Sequence, residues 1–300
     1  MYIKPPFIKK NDKVAIIATA KNFDKKELVA AIKNIKSWGL EVIEGKHLYK
    51  KHHQFAGTDL ERTEELQWAL DDSEIKAVFC ARGGYGTAKI IDEISFKKII
   101  KHPKWVIGFS DVTVLHAQLQ KNKMQSIHGV MPILFGQKDY KLSVEKLKEA
   151  IFGKEIRYKI LPNKLNREGE ATGKLIGGNL SIICSLIGTS SEMNTKDKIL
   201  FLEDVGENLY RIDRMIVQLK RAEKLKMLSG LIMGHFTAIE DNEIKFGKTA
   251  YEIIADAVKE YSYPVCFGFP AGHEADNLPL ILGAELSLAV SKKGVNVNIK

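Results

Sequence analysis

Three hundred residues, 45% of them hydrophobic, suffice for one large or two ordinary globular domains and exclude a disordered chain. The net charge of +9 would suit nucleic acid or an acidic ligand, but the lysines are spread along the chain without an aromatic-interleaved basic block. They read as a solvated surface, with no nucleic-acid partner expected. No run of about eighteen apolar residues exists, so no membrane-spanning helix is expected, and residues 1–7 lack the apolar core of a secretory leader. Cys80, Cys184 and Cys266 lie far apart in apolar surroundings, as small buried hydrophobes of a reducing cytoplasm rather than a disulfide framework or metal cluster.

Residues 13–18 are an apolar run of strand type. Leu28, Ile32 and Ile35 recur at helical spacing, with Gly39 as the stop, and residues 40–43 form a second strand. Thr58-Asp59-Leu60-Glu61 is a capping box that opens a helix through Leu66, Ala69 and Leu70. Residues 75–80 are a third strand, followed by Ala81-Arg82-Gly83-Gly84-Tyr85-Gly86-Thr87 and an expected helix through Ile90, Ile91 and Ile94. Residues 105–108 form a buried strand that turns at Phe109-Ser110 into a helix starting near Val112. A strand at 126–130 and a helix at 144–151 complete this half. The alternation predicts a parallel sheet covered on both faces, a Rossmann-like domain over 1–155.

The pattern then lapses into polar and basic residues with Pro162 and Gly169, which places a linker at 156–172. The second domain, 173–300, begins with Gly173-Lys174-Leu175-Ile176-Gly177-Gly178-Asn179-Leu180 and an apolar helix through Ile183 and Leu186. Residues 199–202 form a buried strand ending at Glu203-Asp204, followed by an amphipathic helix around Ile212, Ile216 and Leu219. Strands at 231–233, 265–267, 286–290 and 295–299 crowd toward the C-terminus, which predicts an α+β domain with barrel-like or sandwich-like strands.

Three stretches could carry chemistry. Ser110 stands where a strand meets a helix, so its hydroxyl would project at the carboxyl end of the sheet and the Asp111 N–H at a helix N-terminus. That is the layout of a nucleophile elbow, although Val112 replaces the second glycine of G-x-S-x-G. The alternative is that Ser110 or Asp111 caps the helix. The glycine-rich stretch at 82–86 lacks the Gly-Lys-Ser/Thr of a P-loop and the third glycine of a dinucleotide turn. Its glycines would let a backbone N–H approach a substrate, or simply make a tight turn.

Glu203 follows four apolar residues at a strand's end, so its carboxylate needs a buried partner, either a histidine or, in a structural ion pair, Arg211 or Arg214. His273 lies in the loop Gly268-Phe269-Pro270-Ala271-Gly272-His273, with His235 its nearest competitor. His47, His52, His53 and His102 sit in polar segments expected to be exposed, and His116 and His128 read as structural. No histidine spacing suits zinc, and no metal or cofactor is expected. Serine, glutamate and histidine at three strand ends suit a triad.

Together these stretches resemble the LD-carboxypeptidase family of serine peptidases, which also contains the microcin C immunity peptidases. The resemblance rests on Arg82-Gly83-Gly84-Tyr85-Gly86, Gly108-Phe109-Ser110-Asp111-Val112-Thr113, Gly177-Gly178-Asn179-Leu180, Leu202-Glu203-Asp204-Val205-Gly206-Glu207 and Gly272-His273. It implies a Rossmann-like domain, a second domain with barrel-like strands and an active site between them. In it, Ser110 would be the nucleophile, His273 the general base, Glu203 its orienting acid, and the N–H groups of Gly84 and Asp111 the oxyanion hole. The implied activity is release of the terminal D-alanine from L,D-linked muropeptides in cytoplasmic cell-wall recycling, by a homodimer. Cleavage of aminoacyl-adenylate conjugates, as in the microcin branch, and a non-enzymatic binding module on the same fold are the alternatives.

Overall fold

Val14–Ile17 and Ala77–Cys80 are apolar and buried without interruption, the composition of strands covered on both faces. In the computed structural model, which describes residues 2–300, they lie in the first of two units. That unit runs to Lys154 and takes in Ala275–Leu282; the other comprises Glu155–Glu274 and Gly283–Lys300. Strand and helix alternate in the first unit: β1 (Lys13–Ile17), α1 (Val29–Ser37), β2 (Glu41–Glu44), α2 (Asp59–Asp71), β3 (Ile75–Cys80), α3 (Lys97–Lys101), β4 (Trp105–Gly108), α4 (Thr113–Lys121), β5 (Ser126–His128) and α5 (Lys141–Ile151). The Thr58 capping box that starts α2 and the Gly39 stop after α1, at φ +83°, are where the sequence puts them.

β1 to β5 are mutually parallel in the order β5-β4-β3-β1-β2. The sheet therefore reverses direction between β1 and β3, and such a sheet opens a crevice at the carboxyl ends of those two strands. The Rossmann-like expectation holds, with the strand order of the flavodoxin-like variant. A sixth strand, Leu280–Leu282, joins β5 antiparallel.

The helix expected through Ile90, Ile91 and Ile94 is not an α-helix. Two 3-10 turns, Thr87–Lys89 and Ile91–Glu93, take its place. Lys89 N–H and Ile90 N–H reach back three residues, to Gly86 O and Thr87 O, where an α-helix would reach back four.

The second unit contains β6 (Ile156–Ile160), β7 (Gly169–Asn179), α6 (Leu180–Ser185), β8 (Lys198–Val205), α7 (Leu209–Arg221), β9 (Gly230–Thr237), α8 (Ala250–Ala257), β10 (Val265–Phe267), β12 (Glu285–Ser291) and β13 (Gly294–Ile299), β11 being the Leu280–Leu282 strand of the first sheet. Its seven strands run β10-β9-β8-β7-β12-β13-β6, parallel from β10 to β7 and antiparallel beyond. The linker expected at 156–172 is thus largely sheet. Ile156-Arg157-Tyr158-Lys159-Ile160 alternates apolar and polar residues, the pattern of a half-buried strand.

The barrel-like expectation is met without closure. Tyr158 on edge strand β6 packs its ring 5.7 Å from that of Phe269, just beyond the other edge strand, and Arg167 bridges to Val265 of β10. The sheet curls until side chains from both edges share one core with Phe201, yet β6 and β10 form no ladder.

One glycine sets how closely β7 and β8 lie. Gly177 has φ +128°, and a Cβ there would stand 1.9 Å from Phe201 O. Gly177→Ala therefore combines backbone strain with a backbone clash, and should cost about 3 kcal/mol or more. Gly188 also has positive φ but nothing within 4 Å, so Gly188→Ala should cost only about 1–2 kcal/mol. Urea midpoints of the two variants check the contrast; equal losses would mean that the close approach is not what demands glycine.

Candidate active site

The candidate residues of the first unit lie at the carboxyl ends of β3 and β4. Ser110 has φ +62°, a left-handed conformation that a non-glycine residue adopts at some cost. It follows Phe109 in extended backbone and opens a 3-10 turn that runs into α4. The result is a sharp strand-to-helix corner, the backbone shape that a nucleophile elbow requires. Gly108 is required there because a Cβ would meet both Val112 methyls at 2.9 Å. The capping alternative fails: neither the 3-10 turn nor α4 receives a side-chain cap. The Asp111 carboxylate turns instead to the glycine turn after β3, where it accepts the Thr87 N–H at 2.8 Å. Burial raises the Asp111 pKa, while its hydrogen bonds from Thr87 and Gly86 and the nearby Arg62 charge work the other way.

The glycine turn is pressed against the serine. A Cβ on Gly83 would lie 3.0 Å from Ser110 Cβ and 3.2 Å from its Oγ. Gly84 follows at φ +113°, with a hypothetical Cβ 2.8 Å from Lys21 Cβ. The structure therefore brings the Arg82–Gly86 stretch and Ser110 together, as two motifs far apart in sequence.

The candidate residues of the second unit lie toward the ends of β8, β9 and β10. Glu203 has no solvent exposure, and His273 Nδ1 lies 2.6 Å from its Oε2. A carboxylate only accepts, so Nδ1 carries the proton in this pair. The alternative partners are elsewhere: Arg211 Nη1 lies 3.8 Å from Glu207, and the Arg214 guanidinium stands over the Tyr210 ring. Gly272 makes the pairing possible. At φ +131°, a Cβ would press on Glu203 Cβ and Oε2 at 3.1 Å and on His235 Cβ at 3.3 Å. His235 donates its backbone N–H to Ala271 O, and Phe269 N–H goes to Met233 O, so β9 straps down the loop that carries His273.

The remaining histidines sort by environment. His116 is buried between Ser126 Oγ and Gly108 O, and burial pushes its pKa down to about 4. His128 is buried in β5. His52, His53 and His102 are exposed, but His47 is not: it is buried, with Nε2 3.4 Å from Glu64 Oε2. The loop carrying His47 folds onto α2, because Glu65 accepts the His47 N–H.

Sequence reasoning missed the supports. Arg62 is fully buried and grips the carbonyls of Thr19 and Gly86, yet an arginine inside a helix carries no mark that it points inward. Asp204 ties two motifs together: its carboxylate accepts from Asn179 Nδ2, Ser181 N–H and Val205 N–H, each at 2.9 Å. The Gly177–Leu180 and Leu202–Glu207 stretches are thus one cluster around the start of α6.

Burial raises the Asp204 pKa to about 6 and the Glu203 charge adds to the rise, against the lowering effect of its hydrogen bonds. The folded state then binds more protons than the unfolded between about pH 4 and 6, and stability falls as pH climbs through that window. At about 1.4 kcal/mol per unit, the loss amounts to roughly 2–3 kcal/mol by pH 7. Asp204→Asn should flatten this slope; denaturation midpoints of both proteins across pH 4–7 check it, and parallel curves would contradict it.

The chain is similar to known proteins along nearly all of its length. Residues 14–129 match the LD-carboxypeptidase N-terminal domain and residues 172–288 the LD-carboxypeptidase C-terminal domain. A probable murein peptide carboxypeptidase of Bacillus subtilis is 35% identical over 295 residues, covering 97% of this chain and 92% of that protein. The crystal structure of muramoyltetrapeptide carboxypeptidase from Oxalobacter formigenes has the same fold, with a TM-score of 0.89, 30% identity and coverage of 96% of this chain and 98% of that one. The microcin C7 self-immunity protein of Escherichia coli is 25% identical over 292 residues, covering 86% of this chain and 84% of that protein. With more than half of its length matched by the two domains and this likeness to relatives along nearly all of it, the chain belongs to the LD-carboxypeptidase family.

Proposed function

We propose that the protein is a serine-type LD-carboxypeptidase that removes the terminal D-alanine from an L,D-linked muropeptide, converting tetrapeptide to tripeptide. The observation that carries the reading is the 2.6 Å pairing of His273 Nδ1 with a carboxylate that has no exposure. The likeness to murein peptide carboxypeptidases supports the substrate class. In the proposed reaction Ser110 Oγ attacks the carbonyl carbon of the bond before D-alanine, and its proton passes to His273 Nε2. Glu203 holds the Nδ1 proton and stabilises the imidazolium. The N–H groups of Gly84 and Asp111 receive the oxyanion. Collapse of the tetrahedral intermediate returns the proton to the leaving amine of D-alanine, and water then hydrolyses the Ser110 ester by the same route.

Further parts of the reading concern setting. We assign the protein to the cytoplasm, in cell-wall recycling, and to a homodimer. The three cysteines are buried free thiols whose pKa values burial pushes up to about 12, so they suit a reducing compartment. Sedimentation or light scattering tests the dimer.

Ser110→Ala should retain the fold and lose at least about 10³-fold in turnover. Near-normal turnover of a folded variant would remove the nucleophile assignment. Glu203→Gln keeps size and removes charge; by analogy with the aspartate of other serine peptidases, its loss should reach about 10⁴-fold. Because the residues act as a unit, adding Glu203→Gln to His273→Ala should cost little more than His273→Ala alone. Multiplying losses would mean that Glu203 does not work through His273. The free-carboxylate tetrapeptide should be cleaved, and its C-terminally amidated form should not. Equal rates would rule out carboxypeptidase specificity, while preferential cleavage of an aminoacyl sulfamoyl nucleoside would favour the microcin-type alternative.

A further inference from the structure

Arg62 is a guanidinium with no solvent exposure, one turn into α2, and nothing in the proposed chemistry uses it. Arginine keeps its charge at any working pH, so a buried one must be held by acceptors on several sides. Here Nη2 pairs with the half-exposed Asp59, one helical turn earlier. Nη1 donates to two carbonyls at once, Thr19 O at 2.6 Å and Gly86 O at 2.8 Å. Those carbonyls belong to the loops after β1 and after β3, the two strands where the sheet reverses direction. The guanidinium therefore pins together the two lips of the crevice that such a reversal opens.

The fit at Gly86 is close. A Cβ there would stand 2.7 Å from Nη1 and 3.0 Å from Ala20 Cα. One residue further, Thr87 is fixed twice, through its N–H to Asp111 Oδ2 and through its hydroxyl to that of Thr19, each at 2.8 Å. At the other end of the turn, Gly83 O accepts the Lys21 N–H, and Gly83 packs on Ser110. Gly84 lies between these anchors. With φ +113° and no side chain of its own, it has nothing but its neighbours to orient its N–H.

We propose that Arg62 is a positioning residue for the oxyanion hole: by gripping Thr19 O and Gly86 O, it sets the direction of the Gly84 N–H relative to Ser110. The inference rests on the reading of Ser110 as nucleophile. It assigns Arg62 no contact with substrate. A hole aimed at the tetrahedral oxyanion contributes in the transition state and little in the ground state. Loss of aim should therefore lower kcat and leave KM alone.

The test uses Arg62→Lys in the full-length protein, beside the wild type. Lysine keeps the charge, but a single ammonium lacks the fork that spans two carbonyls and Asp59. We expect kcat to fall about 10–100-fold with KM within about twofold. Affinity for a peptide boronic acid, which forms a tetrahedral adduct on serine, should fall by the same factor, under conditions where circular dichroism shows both proteins folded. If the wild type turns over and the folded variant equals it in kcat and boronate affinity, a lower melting temperature notwithstanding, Arg62 is merely structural and the proposal is overturned. A loss confined to KM overturns it too. A wild type that neither cleaves the tetrapeptide nor binds the boronate marks failure of the Ser110 reading itself, and the proposal falls with it. Should Arg62→Lys not fold, Asp59→Asn decides: it loosens the guanidinium from its half-exposed side and should lower kcat several-fold at constant KM, so an unchanged kcat overturns the proposal.

Discussion

A carboxylate shut off from water must be answered by a proton donor, and the answer to Glu203 organises the second unit. His273 supplies it, and the loop that carries His273 has to come down onto the end of β8 to do so. That approach requires Gly272 where a side chain would strike Glu203, and Gly234 where a Cβ would lie 2.4 Å from Ala271 O. The neighbouring carboxylate obeys the same rule. Asp204 is answered by an amide side chain and two backbone N–H groups. Two adjacent acids at one strand end thus bind two different elements, the His273 loop and the start of α6. Either carboxylate left unanswered in this interior would cost several kcal/mol.

The first unit stores strain where the second stores charge. A serine at φ +62° costs on the order of 1–3 kcal/mol and persists only where its surroundings over-determine it. Asp111, Thr87, Thr19 and Arg62 are those surroundings, all buried and joined by hydrogen bonds across three loops. Such a network resists relaxation because moving any one member leaves another polar group buried without a partner.

Much of this was legible in the sequence, for identifiable reasons. Strands buried on both faces advertise themselves as apolar runs, so β1, β3, β4 and β8 stand close to where composition puts them. The corner at Gly108-Phe109-Ser110 and the end of β8 at Glu203 were readable because polar residues break those runs at strand termini, where sheets expose their chemistry. The pairing of Glu203 with His273 rather than an arginine was implied by the family resemblance alone, since seventy residues separate them and composition does not choose among buried partners. β6 escaped because its alternating pattern looks polar on average, although every second residue is apolar. The stretch after Gly86 misled in the opposite sense. Its isoleucines have helical spacing, but the chain makes two successive 3-10 turns there, and spacing alone does not separate those from an α-helix. Arg62 itself left no trace, because burial of a charge on a helix depends on which carbonyls happen to face it.

The small strand β11 ties the covalent order of the chain to its folding units. It follows the His273 loop directly, yet it hydrogen-bonds to β5, with Leu280 opposite His128 and Leu282 opposite Ser126. Ser143 of α5 adds a hydrogen bond to Ala275 O. The first unit therefore borrows its edge from a point more than a hundred residues beyond Lys154, and the chain passes between units three times. A nascent chain released only as far as α5 has β5 as an open, apolar edge, the kind of surface that recruits other strands. No single cut divides this protein into two self-sufficient pieces. Completion of the first sheet waits on synthesis of nearly the whole second unit, so the half bearing the serine closes its edge only after the half bearing the histidine has been made.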